Sequence, residues 1–324
     1  MRAVVVTEHG GVDVLAVQQR PDPEPGPGEV LVEVAAAGVN FKDVYMREGV
    51  YPGEPPFVLG DECAGRVVAV GAGVDGIGEG DVVATASARG GQAELAVVDA
   101  AQAVPVPEQV PADLAAAALL QGMTAHYLVH STYPVAEGDE VLVHAAAGGV
   151  GRLLVQLATA QGARVVATVG SAAKVAVARA AGADVVLRTD EIDAGDLAAA
   201  VRDVVPDGVH VVYDGVGRAT FEASLAALRP RGLLALFGAS SGQVPPFDLQ
   251  RLNPAGSLFV TRPTLAHYAA TRAELLQRAG DVFAGIADGS LDIAVGGRYP
   301  LADVATAYRD LEGRRTTGKL LLAP

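Results

Sequence analysis

Between Glu140 and Lys174 the sequence EVLVHAAAGGVGRLLVQLATAQGARVVATVGSAAK sets a glycine turn between a strand and a helix. The turn is Ala146-Ala147-Gly148-Gly149-Val150-Gly151. In such a turn Gly148 lets the backbone approach a diphosphate, and Gly151 lets the helix pack closely on the strand. The free N–H groups and positive dipole end of the helix start then face the phosphates. Ala146 stands where the G-x-G-x-x-G fingerprint has its first glycine. The chemistry implied is dinucleotide binding, with Ala147, Gly148, Gly149 and Val150 along the phosphates. About 20 residues past the turn, an NAD site normally carries an acid for the ribose 2′-OH. Here that stretch is Gly170-Ser171-Ala172-Ala173-Lys174, without a carboxylate. A lysine attracts the 2′-phosphate that an acid would repel, so NADPH is expected, with Gly170, Ser171 and Lys174 as contacts. The alternative is a solvated lysine at a helix start.

These residues depend on a βαβ unit. Val141–Val143 reads as a parallel strand covered on both faces. Leu153, Leu154, Leu157 and Ala158 recur at helical spacing until Gly162, and Val165, Val166 and Val169 form the second strand. The strand–helix rhythm continues to about Val260. Helices are expected at 172–181, 194–205 and 220–228, and strands at 184–187, 208–214 and 232–237. That pattern is a doubly wound parallel sheet. Residues 1 to about 100 read as short strands with glycine turns and no βαβ rhythm, hence a separate antiparallel domain. One helix is expected at 107–120 and a second at 121–130, bridging the two. The tail holds a helix rich in Ala, Glu and Leu and ends in a strand, Lys319–Leu322, that returns to the first domain. The expected division is 1–121, 122–260 and 261–324.

Composition narrows the function. The chain has 324 residues and a net charge of −14, and an acidic surface argues against binding nucleic acid. Cys63 is the single cysteine, so no internal disulfide forms and a reducing compartment fits. No apolar run approaches the roughly 18 residues of a membrane span, and the N-terminus lacks a secretory apolar core. A cytoplasmic protein is expected.

Further segments carry a family resemblance. They are Gly38-Val39-Asn40-Phe41-Lys42-Asp43-Val44-Tyr45, Gly49-Val50-Tyr51-Pro52, and Leu59-Gly60-Asp61-Glu62-Cys63-Ala64-Gly65. With Gln121-Gly122-Met123-Thr124-Ala125, the glycine turn led by His144, and Thr316-Thr317-Gly318-Lys319, they span nearly the whole chain. The sequence resembles the medium-chain dehydrogenase/reductase superfamily, and within it the zinc-free quinone oxidoreductase branch that includes zeta-crystallin. The resemblance implies a Rossmann-type domain plus a GroES-like catalytic domain, with the nicotinamide in the cleft between them. It places Asn40, Tyr45, Tyr51 and Thr124 near the nicotinamide, Arg314 on the 2′-phosphate, and Thr189 against the adenosine. It implies a homodimer joined through an edge strand of the cofactor domain, either 233–237 or 258–260.

Asn40 could hold the ribose or a substrate carbonyl. Tyr45 and Tyr51 could stack on a planar quinone and donate to its oxygen as hydride arrives. Either tyrosine could instead be ordinary packing. Phe237 and Gly238 open the loop past the nicotinamide. Asp214, at a strand end near the cofactor, could simply cap its turn. Asp43 is read as bracing its loop and Glu62 as structural.

Zinc-dependent relatives carry a Cys at the position of Asn40 and a His at that of Asp61, so no metal is expected. His126 and His130 have helical i, i+4 spacing but no acidic or Cys partner nearby in sequence, and read as a packing pair. The expected function is zinc-independent, NADPH-dependent reduction of a quinone or similar activated carbonyl. A 2-enoyl thioester or enone reductase, and a non-catalytic NADPH-binding protein, are the alternatives.

Overall fold

In the computed structural model, which describes residues 1–324, the apolar runs after Gly138 become six parallel strands. In chain order they are Glu140–Val143, Arg164–Val169, Val185–Arg188, Val209–Asp214, Leu228–Leu236 and Phe259–Thr261. Across the sheet they run third, second, first, fourth, fifth, sixth. This is the doubly wound order, whose switch point lies between the first and fourth strands. Val141–Val143 and Val165–Val169 are buried at every position, as parallel strands covered on both faces must be. Leu142, Val166, Val212 and Leu234 pack into one core with Val201, Phe221 and Leu225 from two helices. These elements belong to a unit spanning Thr124–Tyr268.

Three expectations change here. The run 233–237 is no edge, because the Leu228–Leu236 strand has a neighbour on each side. The strand Phe259–Thr261 is the edge. The break expected near Gln121 is also absent. Ala112–Tyr127 is one helix, ending in a π-helical turn, Leu128–Thr132. Its Ala- and Leu-rich sequence has no proline after Pro111, so nothing stops it. The expected helix at 172–181 is shorter, a 3-10 turn at Ala172–Lys174 leading into Val175–Ala180.

Residues Met1–Met123 and Ala269–Pro324 form a second unit. Its central strand, Glu29–Val39, pairs antiparallel with Cys63–Val70, Leu95–Asp99 and Lys319–Ala323. Val30, Val32 and Val34 alternate into a core that also holds Leu59, Val67, Val83 and Leu320, the period-2 pattern of a sheet with one packed face. The register of the last strand, Leu320 opposite Val39, brings Lys319 beside Asn40. The tail helix read from the sequence is Arg272–Asp288. Three helices lie outside the sequence reading, Phe41–Arg47, the single turn Leu265–Tyr268 and Val304–Glu312. No helix is long and apolar enough to cross a membrane.

Candidate active site

The glycine turn begins where the first parallel strand ends. Gly148 caps the helix Gly149–Ala160, and Gly148, Gly149 and Val150 are half-buried. The first N–H groups of this helix have no carbonyl one turn back to bond, so they remain donors for an anion. A Cβ on Gly151 would lie 2.4 Å from the Ala145 carbonyl oxygen. Only glycine allows that approach of helix to strand. Ala147 is buried beneath the turn. The donor set and the open helix start fit a dinucleotide diphosphate.

The second and third strands end together, Val169 opposite Arg188. Gly170 and Ser171 follow the second strand, and Lys174 closes the 3-10 turn. Thr189 follows the third strand, and its hydroxyl and N–H both donate to the Val169 carbonyl. Arg188 is paired with Asp190 and Glu191, so the acids of this corner are already engaged by a cation. Gly170, Ser171, Lys174 and Thr189 therefore share one strand-end corner with no unpaired carboxylate from Asp190 or Glu191. Arg314 lies in the other unit, exposed, in the turn between the Val304–Glu312 helix and the last strand.

Asp214 ends the fourth strand, fully buried. Its Oδ1 accepts from the N–H of Val216 (2.8 Å) and Gly217 (2.9 Å). Its Oδ2 accepts from the hydroxyls of Thr220 (2.7 Å) and Ser224 (2.8 Å). Four donors fill a carboxylate, so the side chain closes its own turn and any ligand contact at Asp214 must come from backbone. Ser224 and Thr168 also hold the two nitrogens of His144, at 3.0 and 2.9 Å. Burial lowers the His144 pKa, against the opposing pull of Asp214, so the ring is a neutral strut beneath the cradle. Phe237 and Gly238 follow the fifth strand. Their N–H groups donate to the Asp214 carbonyl at 2.9 and 3.4 Å, which ties this loop to the Asp214 turn. Thr124, the first residue of the unit, is buried in the long helix.

In the antiparallel unit, Asn40 is the N-cap of the Phe41–Arg47 helix and is buried. Its Nδ2 donates to Glu62 Oε2 (2.9 Å), and Lys319 Nζ donates to its Oδ1 (2.6 Å) and to the same Glu62 oxygen (2.5 Å). Glu62 Oε1 accepts from the N–H of Leu120 at 2.7 Å. Asp43 holds the Asn40 backbone N–H at 2.8 Å and accepts from Tyr308 at 2.9 Å. Gln92 donates to Tyr308 at 2.7 Å, leaving its own Oε1 without a partner.

Burial, with the charge of Asp61, raises the Asp43 pKa from 3.8 to about 7. The folded state therefore binds this proton more tightly than the unfolded chain. The resulting stability is fully present below pH 3.8 and is lost as pH rises through about 7. At about 1.4 kcal/mol per pH unit, the penalty for ionising Asp43 in place is on the order of 4 kcal/mol. Asp43→Asn should remove it. In urea melts at pH 5 and pH 8, the parent should lose stability relative to the variant at the higher pH. A difference independent of pH would contradict the assignment.

Tyr45 and Tyr51 are half-buried, with ring centroids 5.4 Å apart and edges to faces. The N–H of Tyr51 donates to the Tyr45 carbonyl at 3.0 Å, so the helix end and its loop carry the two rings as one wall. Asp61 is paired with Lys42. The rings of His126 and His130 lie 4.5 Å apart, tilted by 49°. No group of three or more His, Cys, Asp or Glu is arranged to hold a metal.

Lys319 is the site residue that sequence reasoning missed, although the segment containing it carried the resemblance. The helix holding Tyr308 had a signal in its apolar positions Val304, Ala307, Tyr308 and Leu311. Gln92 gave none.

A doubly wound sheet with a glycine cradle, joined to an antiparallel unit bearing a buried amide and paired tyrosines, defines a two-domain nucleotide-dependent oxidoreductase. Residues 26–108 match the alcohol dehydrogenase GroES-like domain and residues 149–279 the zinc-binding dehydrogenase domain. The chain is 42% identical to quinone oxidoreductase 1 of Escherichia coli, over 98% of both chains. It is 38% identical to a 2-haloacrylate reductase from Burkholderia, covering 99% of this chain and 98% of the other. A mycobacterial protein solved as a complex with NADPH superimposes with a TM-score of 0.97, at 52% identity and full coverage of both chains. The chain belongs to the quinone oxidoreductase family of the medium-chain dehydrogenase/reductase superfamily.

Proposed function

We propose that the protein is an NADPH:quinone reductase, passing hydride to a quinone or similar activated carbonyl acceptor. The observation that carries this reading is the similarity to a quinone oxidoreductase over 98% of both chains, which includes both units rather than the nucleotide fold alone. NADPH, when bound, supplies the hydride. The N–H groups of Gly149 and Val150 hold the diphosphate, with the Gly148 backbone and Ala147 alongside, the Gly148 N–H itself donating to the Ala145 carbonyl. Gly170, Ser171, Lys174 and Thr189 take the adenosine end, with Arg314 joining them on the 2′-phosphate. Thr124, the backbone at Asp214, and Phe237 and Gly238 line the nicotinamide side. Asn40 contacts the ribose or the acceptor, and Tyr45 and Tyr51 stack on the acceptor. A quinone is a strong acceptor, so positioning supplies most of the rate.

Relatedness to a 2-haloacrylate reductase supports a second reading, reduction of an activated alkene. Loss of the reduced nicotinamide absorbance with quinones, enones and enoyl thioesters as acceptors separates the two. A protein that binds NADPH and turns over none of them is the non-catalytic alternative.

Lys174→Ala should weaken NADPH binding while leaving NADH nearly unchanged. A lost charge-assisted phosphate contact costs about 1.5–3 kcal/mol, or about ten- to a hundredfold. Fluorescence titration with both cofactors checks this, and equal losses would show that Lys174 is not the selector.

The reading includes zinc independence, a homodimer and a cytoplasmic setting. Zinc prefers thiolates and imidazoles. Asn40 is occupied by Glu62 and Lys319, Asp61 by Lys42, and burial pushes the Cys63 thiol up to about 12. That donor set does not suit the metal, and elemental analysis finding one zinc per active chain would contradict it. For the dimer, the edge strand Phe259–Thr261 leaves Phe259 59% exposed, and pairing with a symmetry mate would close that edge. Light scattering should give twice the 32.8 kDa chain mass, and a monomer at micromolar concentration would refute it.

A further inference from the structure

Lys319 is 1% exposed and Glu62 is 0% exposed. A buried ion pair is weak support for stability, because desolvating two charges offsets most of their attraction. A well-packed apolar pair could fold as well. The sheet is nonetheless built around this one. A Cβ on Gly38 would fall 2.1 Å from Glu62 Oε2 and 2.9 Å from Lys319 Cε, so the strand beside the pair must carry glycine.

The geometry shows what the pair fixes. A side-chain amide has two orientations that interchange oxygen and nitrogen. With Lys319 donating to Oδ1 and Glu62 accepting from Nδ2, Asn40 has one. Turning the amide would set its NH2 against an ammonium and its oxygen against a carboxylate. Asp43 holds the backbone N–H of the same residue, so main chain and side chain are both pinned. One Nδ2 proton remains uncommitted to Glu62. Donation from Lys319 to Oδ1 draws electron density from the amide and strengthens that proton as a donor.

We infer that Lys319, with Glu62, is a positioning residue that holds the Asn40 amide as an oriented donor to the carbonyl oxygen of the acceptor. That bond strengthens as negative charge builds on the oxygen during hydride transfer. The device favours acceptors whose reacting centre is conjugated to a carbonyl. The inference rests on Asn40 being the group that meets the acceptor.

The test uses Glu62→Gln/Lys319→Met, which removes both charges and keeps their approximate size. Lys319→Met alone strands a buried carboxylate and could fail to fold, whereas the double variant has no unpaired charge. Three readouts are taken on full-length protein: thermal melting, NADPH affinity by fluorescence, and kcat/KM with a quinone and an enone. The Asn40 side-chain amide is also followed in asparagine-15N-labelled protein, assigned by its absence from Asn40→Asp. The expected result is melting and NADPH affinity close to the parent, with kcat/KM lower by roughly a hundredfold. The single amide pair of the parent should broaden or double in the variant. A folded double variant with parental kcat/KM on both acceptors, or with the single amide pair intact, overturns the inference. If the parent itself reduces neither acceptor, the functional reading fails, while the amide signal still decides whether Lys319 orients Asn40.

Discussion

Glu62→Ala should be the most destabilising single change in the antiparallel unit. It leaves the Lys319 ammonium buried beside Asn40 Oδ1 without its carboxylate, and it removes the carboxylate oxygens that accept from Asn40 Nδ2 and from the Leu120 N–H. Breaking a buried pair by removing one partner costs about 3–5 kcal/mol. Against a usual total of about 5–15 kcal/mol, that is a large share of the fold's stability. Glu62→Gln should cost less, because an amide oxygen can still accept. Urea denaturation of both variants checks this. An alanine variant that melts with the parent would mean that Lys319 finds water or another partner once Glu62 is gone.

The second large effect falls on turnover. Asn40→Ala removes the amide held between Glu62 and Lys319, so it should lower kcat/KM for every acceptor that shares its geometry. Removing a donor of the oxyanion-hole kind costs about 2.7–4 kcal/mol, and Asn40 should lie in that range. Tyr51→Phe should matter more for a weak acceptor such as an enone than for a quinone, which needs little help in accepting hydride. The measurement is kcat/KM for both acceptors at saturating NADPH. If Tyr51→Phe and Tyr45→Phe both match the parent on both acceptors, neither phenol is catalytic and the proton comes from solvent.

The sequence was most legible where local pattern and chemistry coincide. The run Val141–Val143, the turn to Gly151 and the spacing of Leu153, Leu154 and Leu157 specify strand, turn and helix within a few residues. The parallel sheet and its glycine cradle followed from them. Long-range partners were not legible. Lys319 stands 279 residues from Asn40 in the chain, and only the register of the last strand against Glu29–Val39 brings them together. A lysine at a strand start reads from sequence as a solvated end. Asp214 was legible as a strand-end acid, but its four donors come from its own turn and the next helix. The candidate edge at 233–237 failed for a similar reason. An apolar run looks the same whether it has one neighbour or two, and the pairing with Phe259–Thr261 decides it.

The most direct test of the function is oxidation of NADPH by the purified protein with a simple quinone as sole acceptor, followed by the absorbance of the reduced nicotinamide. NADH is run in parallel at equal concentration. The account predicts steady turnover with the quinone and a clear preference for NADPH. Protein that binds NADPH in titration yet oxidises none of it with any quinone would contradict it.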